Sequence, residues 1–226
     1  TDPAAIAAAQ ATLNQNLVNA LLPLKQWEAI ILQKSNMLPP SGAMAGVYSL
    51  NDQTRGVWNV PANMSVQYTN SPNVSLNDAQ QADLNIPIDG KAVDVIRYFT
   101  GQGTLVWGAR TLDGNSNDWR YNSVRRTVIW IEQSIKLSLN KFVFGANVST
   151  TWVSVVGMIS NFLQNVWAQG GLMGDKSSDA FVVLCGLGST MTSQDILNGY
   201  MVVSVTLQLV HPAEFIVLQF TQKMNS

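Results

Sequence analysis

The chain has 226 residues, 46% of them hydrophobic and only 12% charged, with 13 basic against 14 acidic side chains for a net charge of -1. That length can bury a sizeable core, and so low a charged fraction leaves much neutral surface for contact with other protein. The balance excludes the basic footprint of a nucleic-acid binder and a polybasic membrane patch, although all six arginines fall between Arg55 and Arg126.

TDPAAIAAAQATLNQNLVNALL offers Asp2 as a helix N-cap and Pro3 at the first helical position, both favoured there. Ile6, Leu13, Leu17 and Leu21 recur at helical spacing and predict a helix to about Leu22. Pro23 breaks it, and LKQWEAIILQK adds further turns. SNMLPPSGAMAG reads as a linker, because helix and sheet interiors disfavour its two prolines and two glycines. From Val47 to about Ile88 the pattern is short and irregular, with a turn at NDQTRG and a small helix over Asn77 to Leu84 capped by Asn77.

LVW (105–107) and AFVVLC (180–185) are nearly all apolar, as suits central strands covered on both faces. YMVVSVTLQLV alternates instead, with Met201, Val203, Val205, Leu207 and Leu209 on one side, which predicts a half-covered strand. Two long helices lie between. One carries the stripe Val124, Val128, Ile131, Ile135, Leu139; the other carries Trp152, Val155, Val156, Ile159, Leu163, Val166, Trp167, capped by Thr150 or Thr151 and ended by Gly170. The final run, Glu214 to Gln222, is β-branched and aromatic, with Ile216, Leu218 and Phe220 on one face. An apolar strand at a terminus must be paired or covered. The expected class is α+β (α/β-like), a mixed β-sheet flanked by helices.

Catalytic and metal chemistry find little support. His211 is the only histidine and Cys185 the only cysteine, so neither a Ser–His triad nor a zinc site with a full ligand set is at hand. Cys185, within FVVLC, reads as an inert buried thiol. GQGTLV and GLGSTM fail as dinucleotide loops, because the third glycine falls at Val106 and Met191. DGNSND fails as a calcium loop, because the glycine position holds Asp118 and the glutamate position Val124. No enzymatic activity, cofactor or metal is expected. No apolar run reaches the ~18 residues of a membrane span, and no membrane insertion is expected.

LPPSGAMAGVYSLNDQTRGVWNVPAN (38–63), FTGQGTLVWGARTL (99–112), NDWRYNSVRRTVIWIEQSI (117–135) and PAEFIVLQFTQ (212–222), in this order, resemble the carboxy-terminal domain of contractile tail sheath proteins. That family serves phage tails, contractile bacteriocins and extracellular contractile injection systems. The sequence departs from it at Thr100, at Gln102 and in LCGLGSTMT. The resemblance implies a structural subunit that polymerises helically around an inner tube and contracts to drive it through an envelope. Its implied partners are other sheath subunits or paralogues, the inner tube protein, and baseplate and terminal cap proteins, without nucleic acid. Assembly would take place in the bacterial cytoplasm, in a particle that can be released.

It also implies three segments: a helical flank (1–37), a sheath core domain (38–210) and a carboxy-terminal arm (211–226), within a longer protein. Phe215, Ile216, Val217, Leu218, Gln219 and Phe220 would form a strand donated to a neighbour, the alternative being an internal hairpin with 200–210. Arg110, Arg120, Arg125 and Arg126 are candidate interface donors, or else fold-internal ion pairs. Ser154, Asn161, Gln164, Asn165, Asp175 and Lys176 are candidate tube-facing residues. Two readings stay open beside this one: a hydrolase or transferase using scattered carboxylates, and another tail or baseplate component with a sheath-like domain.

Overall fold

The computed structural model describes residues 2–219. The chain divides into two compact units between Met44 and Ala45. In the first, α1 (Pro3–Ala20) is capped by the Asp2 side chain, which accepts from the Ala4 N–H, and α2 (Leu22–Ser35) carries its proline in the first turn; neither helix buries a residue. The helix α3 (Pro40–Thr54) crosses the division. It overturns the linker expected at SNMLPPSGAMAG, because Pro40 serves as a helix start, where its missing N–H costs nothing. Gly42 and Gly46 then lie inside the helix, and Val47 and Asn51, one turn apart, are buried.

In the second unit β1 (Met64–Ser65), β3 (Gly103–Trp107) and β2 (Val95–Phe99) form an antiparallel sheet in that order, with Val106 opposite both Met64 and Ile96. LVW thus lies in the central strand, as expected. Gly101 and Gly103 at the β2–β3 turn have φ of 81° and 83°, a region L side chains avoid. The small helix α4 (Asp78–Asn85) has Asn77 as its cap.

The core belongs to the long helices α5 (Asn122–Leu139) and α6 (Ser149–Ala168). Ile131 from α5 meets Val155, Ile159, Leu163 and Val166 from α6, and the buried apolar residues of both helices lie on the expected stripes, whose other members, Val128, Ile135, Leu139, Trp152, Val156 and Trp167, are half-buried. The cap of α6 differs: Val148 holds that position with no side-chain hydrogen bond, and neither Thr150 nor Thr151 caps. After a short turn α7 (Ser177–Ala180), the strand β4 (Phe181–Leu184) pairs antiparallel with β5 (Ser204–Leu207), and α8 (Ser193–Leu197) lies between them in sequence.

The α+β class is therefore as expected, with helices over small sheets, but pairing within both sheets is antiparallel rather than mixed. AFVVLC is not a central strand. β4 has a single partner, and its residues alternate half-buried and exposed because only one face rests on α6. Met201, Val203, Val205, Leu207 and Leu209 all turn toward the core, as their alternation predicts. Among the described residues, no helix is long and apolar enough to cross a membrane.

Candidate functional site

The densest polar construction lies where the carboxy-terminal segment leaves the body. Glu214 accepts from four donors on three other stretches of chain. Arg110 grips both oxygens, Nε to Oε1 at 2.9 Å and Nη2 to Oε2 at 2.7 Å; Asn85 Nδ2 donates to Oε1 at 2.6 Å and the Tyr121 hydroxyl to Oε2 at 3.1 Å. The Arg110 side chain is 5% exposed and that of Glu214 13%. Burial works against ionisation of Glu214, but the hydrogen bonds and charge of Arg110, with Asn85 and Tyr121, outweigh it and hold the carboxyl below its ordinary value.

Local structure explains why Arg110 stands there. Its backbone N–H donates to Asp94 Oδ1 at 2.8 Å, and it forms an antiparallel bridge with Tyr121 just before α5. Gly108 permits the approach, because a Cβ there would lie 2.7 Å from the Asp94 Cα. Asp94 is driven above the usual carboxylate range by burial, only partly offset by the hydrogen bonds from Arg110 and Asn122. The His211 ring stands edge-on to Tyr121, with centroids 6.1 Å apart.

Beyond Glu214 the chain changes character. Phe215, Ile216, Val217 and Leu218 are 66%, 81%, 89% and 75% exposed. Residues 211–219 belong to no strand, so among the described residues the internal hairpin with 200–210 is absent. Phe220 and the rest of the predicted strand fall outside the described residues. A cleft of about 580 Å³ runs beside the segment, lined among others by Asn63, Gln81, Trp107, Phe215 and Ile216. Among the described residues the β4–β5 ribbon has two strands, so each strand pairs along one edge.

The candidate arginines divide into two pairs. Arg110 and Arg126 spend their forks inside the fold. Arg126 holds Asp52 of α3 at 2.9 and 2.5 Å and lies over the Tyr48 ring, 4.6 Å from its centroid. Arg120 donates to the Ser116 carbonyl at 2.9 Å and to Asn117, whereas exposed Arg125 sits over Trp119 at 5.2 Å. On α6 and just after it, Ser154, Asn161, Gln164, Asn165, Asp175 and Lys176 are all exposed. Cys185 is half-buried, and burial pushes its thiol up, away from reactivity. Among the described residues, no group of three or more His, Cys, Asp or Glu side chains is placed to hold a metal.

Sequence reasoning placed Glu214 in the terminal strand and missed its role as anchor. One signal was available: it is the single carboxylate heading an otherwise apolar run.

Comparison with known proteins gives a consistent result. Residues 115–223 match the family model of the phage tail sheath C-terminal domain. Among solved structures, the sheath complex of an extracellular contractile injection system (PVC) in the contracted state is 45% identical with a TM-score of 0.79. The helical sheath of the anti-feeding prophage (AFP) in the contracted state is 43% identical with a TM-score of 0.76. A chain of the AFP baseplate is 43% identical with a TM-score of 0.77. Each match covers 82% of this chain and 51% of the other, so the chain spans about half the length of these relatives. No curated protein matches.

Proposed function

Because the chain carries the carboxy-terminal domain of a contractile tail sheath protein, we propose that it is a structural subunit that polymerises helically around an inner tube and contracts to drive it forward. The observation that carries this reading is the exposed apolar run Phe215 to Leu218, which has no strand partner among the described residues. An extended segment of that kind adds to the open edge of another sheet through main-chain hydrogen bonds, and a two-stranded ribbon such as β4–β5 has edges to offer. Contacts that repeat head to tail without closing generate a helical polymer.

The partners on this reading are other sheath subunits or paralogues, the tube protein, and baseplate and cap proteins. Assembly in the bacterial cytoplasm precedes release of the particle. Arg110 and Arg126 hold carboxylates of their own chain, so the contacts between subunits fall to exposed Arg125 and to Arg120, whose donors now serve Ser116 and Asn117. The polar surface of α6 is the proposed tube-facing element. A second reading, a baseplate component with a sheath-like domain, draws on the similarity to chains of AFP baseplate structures.

Negative-stain microscopy of the full-length protein tests the proposal. Rods or tubes are expected. Monodisperse globules, with a melting temperature that responds to a metal or small substrate, would overturn it.

A further inference from the structure

We propose that Glu214 is a register pin: by fixing one residue at the root of the carboxy-terminal segment, it determines which of the two alternating side-chain sets the segment presents to its acceptor. This deepens the strand-donation reading and rests on it. A buried ion pair returns little net stability, since the desolvation of two charges offsets their attraction, and its best-attested use is to specify one arrangement among several. The construction around Glu214 fits that use. Three residues donate to the carboxylate, Asn85 at the end of α4, Arg110 after β3 and Tyr121 before α5, while the backbone of Arg110 is itself held by Asp94. The carboxylate can therefore neither slide nor rotate without breaking bonds to three separate parts of the fold.

Immediately beyond it begins a run with weak register of its own. Phe215, Ile216, Val217 and Leu218 are all large, apolar and exposed, so both faces of the extended chain are greasy. Where one face is polar, the pattern itself selects the register; here it does not, and a slip of one residue exchanges the faces. Ordered spacing must then come from the anchor. With Glu214 fixed, Phe215 and Val217 take one face, Ile216 and Leu218 the other.

The test uses insertions in the full-length protein, with sheath yield scored by sedimentation and microscopy. One alanine inserted between Glu214 and Phe215 reverses the faces and is expected to lower yield by about tenfold or more, the effect of withdrawing buried aliphatic contacts at every interface. Two inserted alanines restore the parity and should recover most of that yield. Glu214→Gln keeps the shape but loses the ion pair, so combining it with the single insertion should relieve part of the defect by letting the segment slip. Thermal melting, expected within a few degrees of the parent for the two insertions and lower for Glu214→Gln, which leaves the buried Arg110 charge unpaired, separates assembly from folding. Equal damage from one and two alanines, or no relief from Glu214→Gln, overturns the pin while leaving strand donation intact. Normal sheaths from both insertions, together with normal sheaths from both a charged Val217 and a charged Leu218 variant, overturn strand donation itself and the pin with it.

Discussion

A charge on the face of the terminal segment that docks should abolish assembly and spare the fold, and the structure sets the size of both effects. Val217 is 89% exposed and Leu218 75% exposed in the free chain, and they lie on opposite faces once the segment is extended. Whichever face turns inward on docking, one of the two is buried. Burial of a Val or Leu side chain is worth roughly 1.5–3 kcal/mol, about a 10- to 100-fold change in association at each contact. A lysine or aspartate loses that gain and adds the cost of desolvating a charge. In the free subunit the same substitutions replace solvent-exposed atoms, which usually changes stability by no more than about 0.5 kcal/mol. Val217→Lys and Leu218→Asp should therefore melt like the parent, and at least one should yield no sheaths by sedimentation and microscopy. Sheaths of normal length from both variants would refute the reasoning, as would unfolding of either, since an exposed and unpaired segment has no part in holding the body together.

Arg126→Ala should cost about 1 kcal/mol, because its ion pair with Asp52 is partly exposed and only the contact with Tyr48 adds to it; a double-mutant cycle with Asp52→Asn on thermal melting should show positive coupling. Gly108→Ala should cost more, about 1–3 kcal/mol, since its Cβ would press on the Asp94 backbone and displace the carboxylate that holds Arg110; urea titration measures it. The pH dependence has two opposed parts. Asp94, raised by burial, contributes stability that is present below its unfolded value and lost as pH rises through the folded one, while Glu214, lowered by Arg110, Asn85 and Tyr121 against the effect of burial, contributes stability that is lost as pH falls through its depressed value. Acidification should therefore first stabilise and then destabilise the subunit, and Asp94→Asn should remove only the first effect.

The parts legible in the sequence are those where one local pattern decides the outcome. The stripe from Trp152 to Trp167 could only be a buried helix face, and Asp2–Pro3 and Asn77 announce helix starts through their own side chains. α3 was hidden because Gly42 and Gly46 lower helix propensity, while the packing of Val47 and Asn51 that compensates is tertiary. AFVVLC misled for a related reason: a run apolar on both faces suits a central strand, yet Val182 and Leu184 are 45% and 47% exposed on the outer face of a two-stranded ribbon. The partners of the anchor were out of reach altogether. Asn85, Arg110 and Tyr121 stand 129, 104 and 93 positions from Glu214, and nothing local marks any of them as its partner. The segment that the anchor holds was visible as apolar and extended, but its lack of an internal partner was not.

The surface of α6 carries the last expectation. A contact that holds a tube before firing and releases it during contraction needs many weak, replaceable bonds, each worth about 0.5–1.5 kcal/mol net, and no buried charge whose partner is lost on sliding. The helix commits Val155, Ile159, Leu163 and Val166 to the core and leaves Ser154, Asn161, Gln164 and Asn165 exposed, with Asp175 and Lys176 shortly beyond it. Within the helix that outward face is uncharged and mostly polar, with Val153 its one large exposed apolar side chain, which matches the requirement. Asn161→Lys combined with Gln164→Lys would place two charges on it without touching the core, so melting should be unchanged. Attachment should not be: extended sheaths filled with tube should become rare, while empty contracted sheaths, whose subunit contacts lie elsewhere, still form. Tube-filled sheaths at normal frequency would refute the assignment, as would an extended sheath structure in which Asn161 and Gln164 point to the outside of the particle.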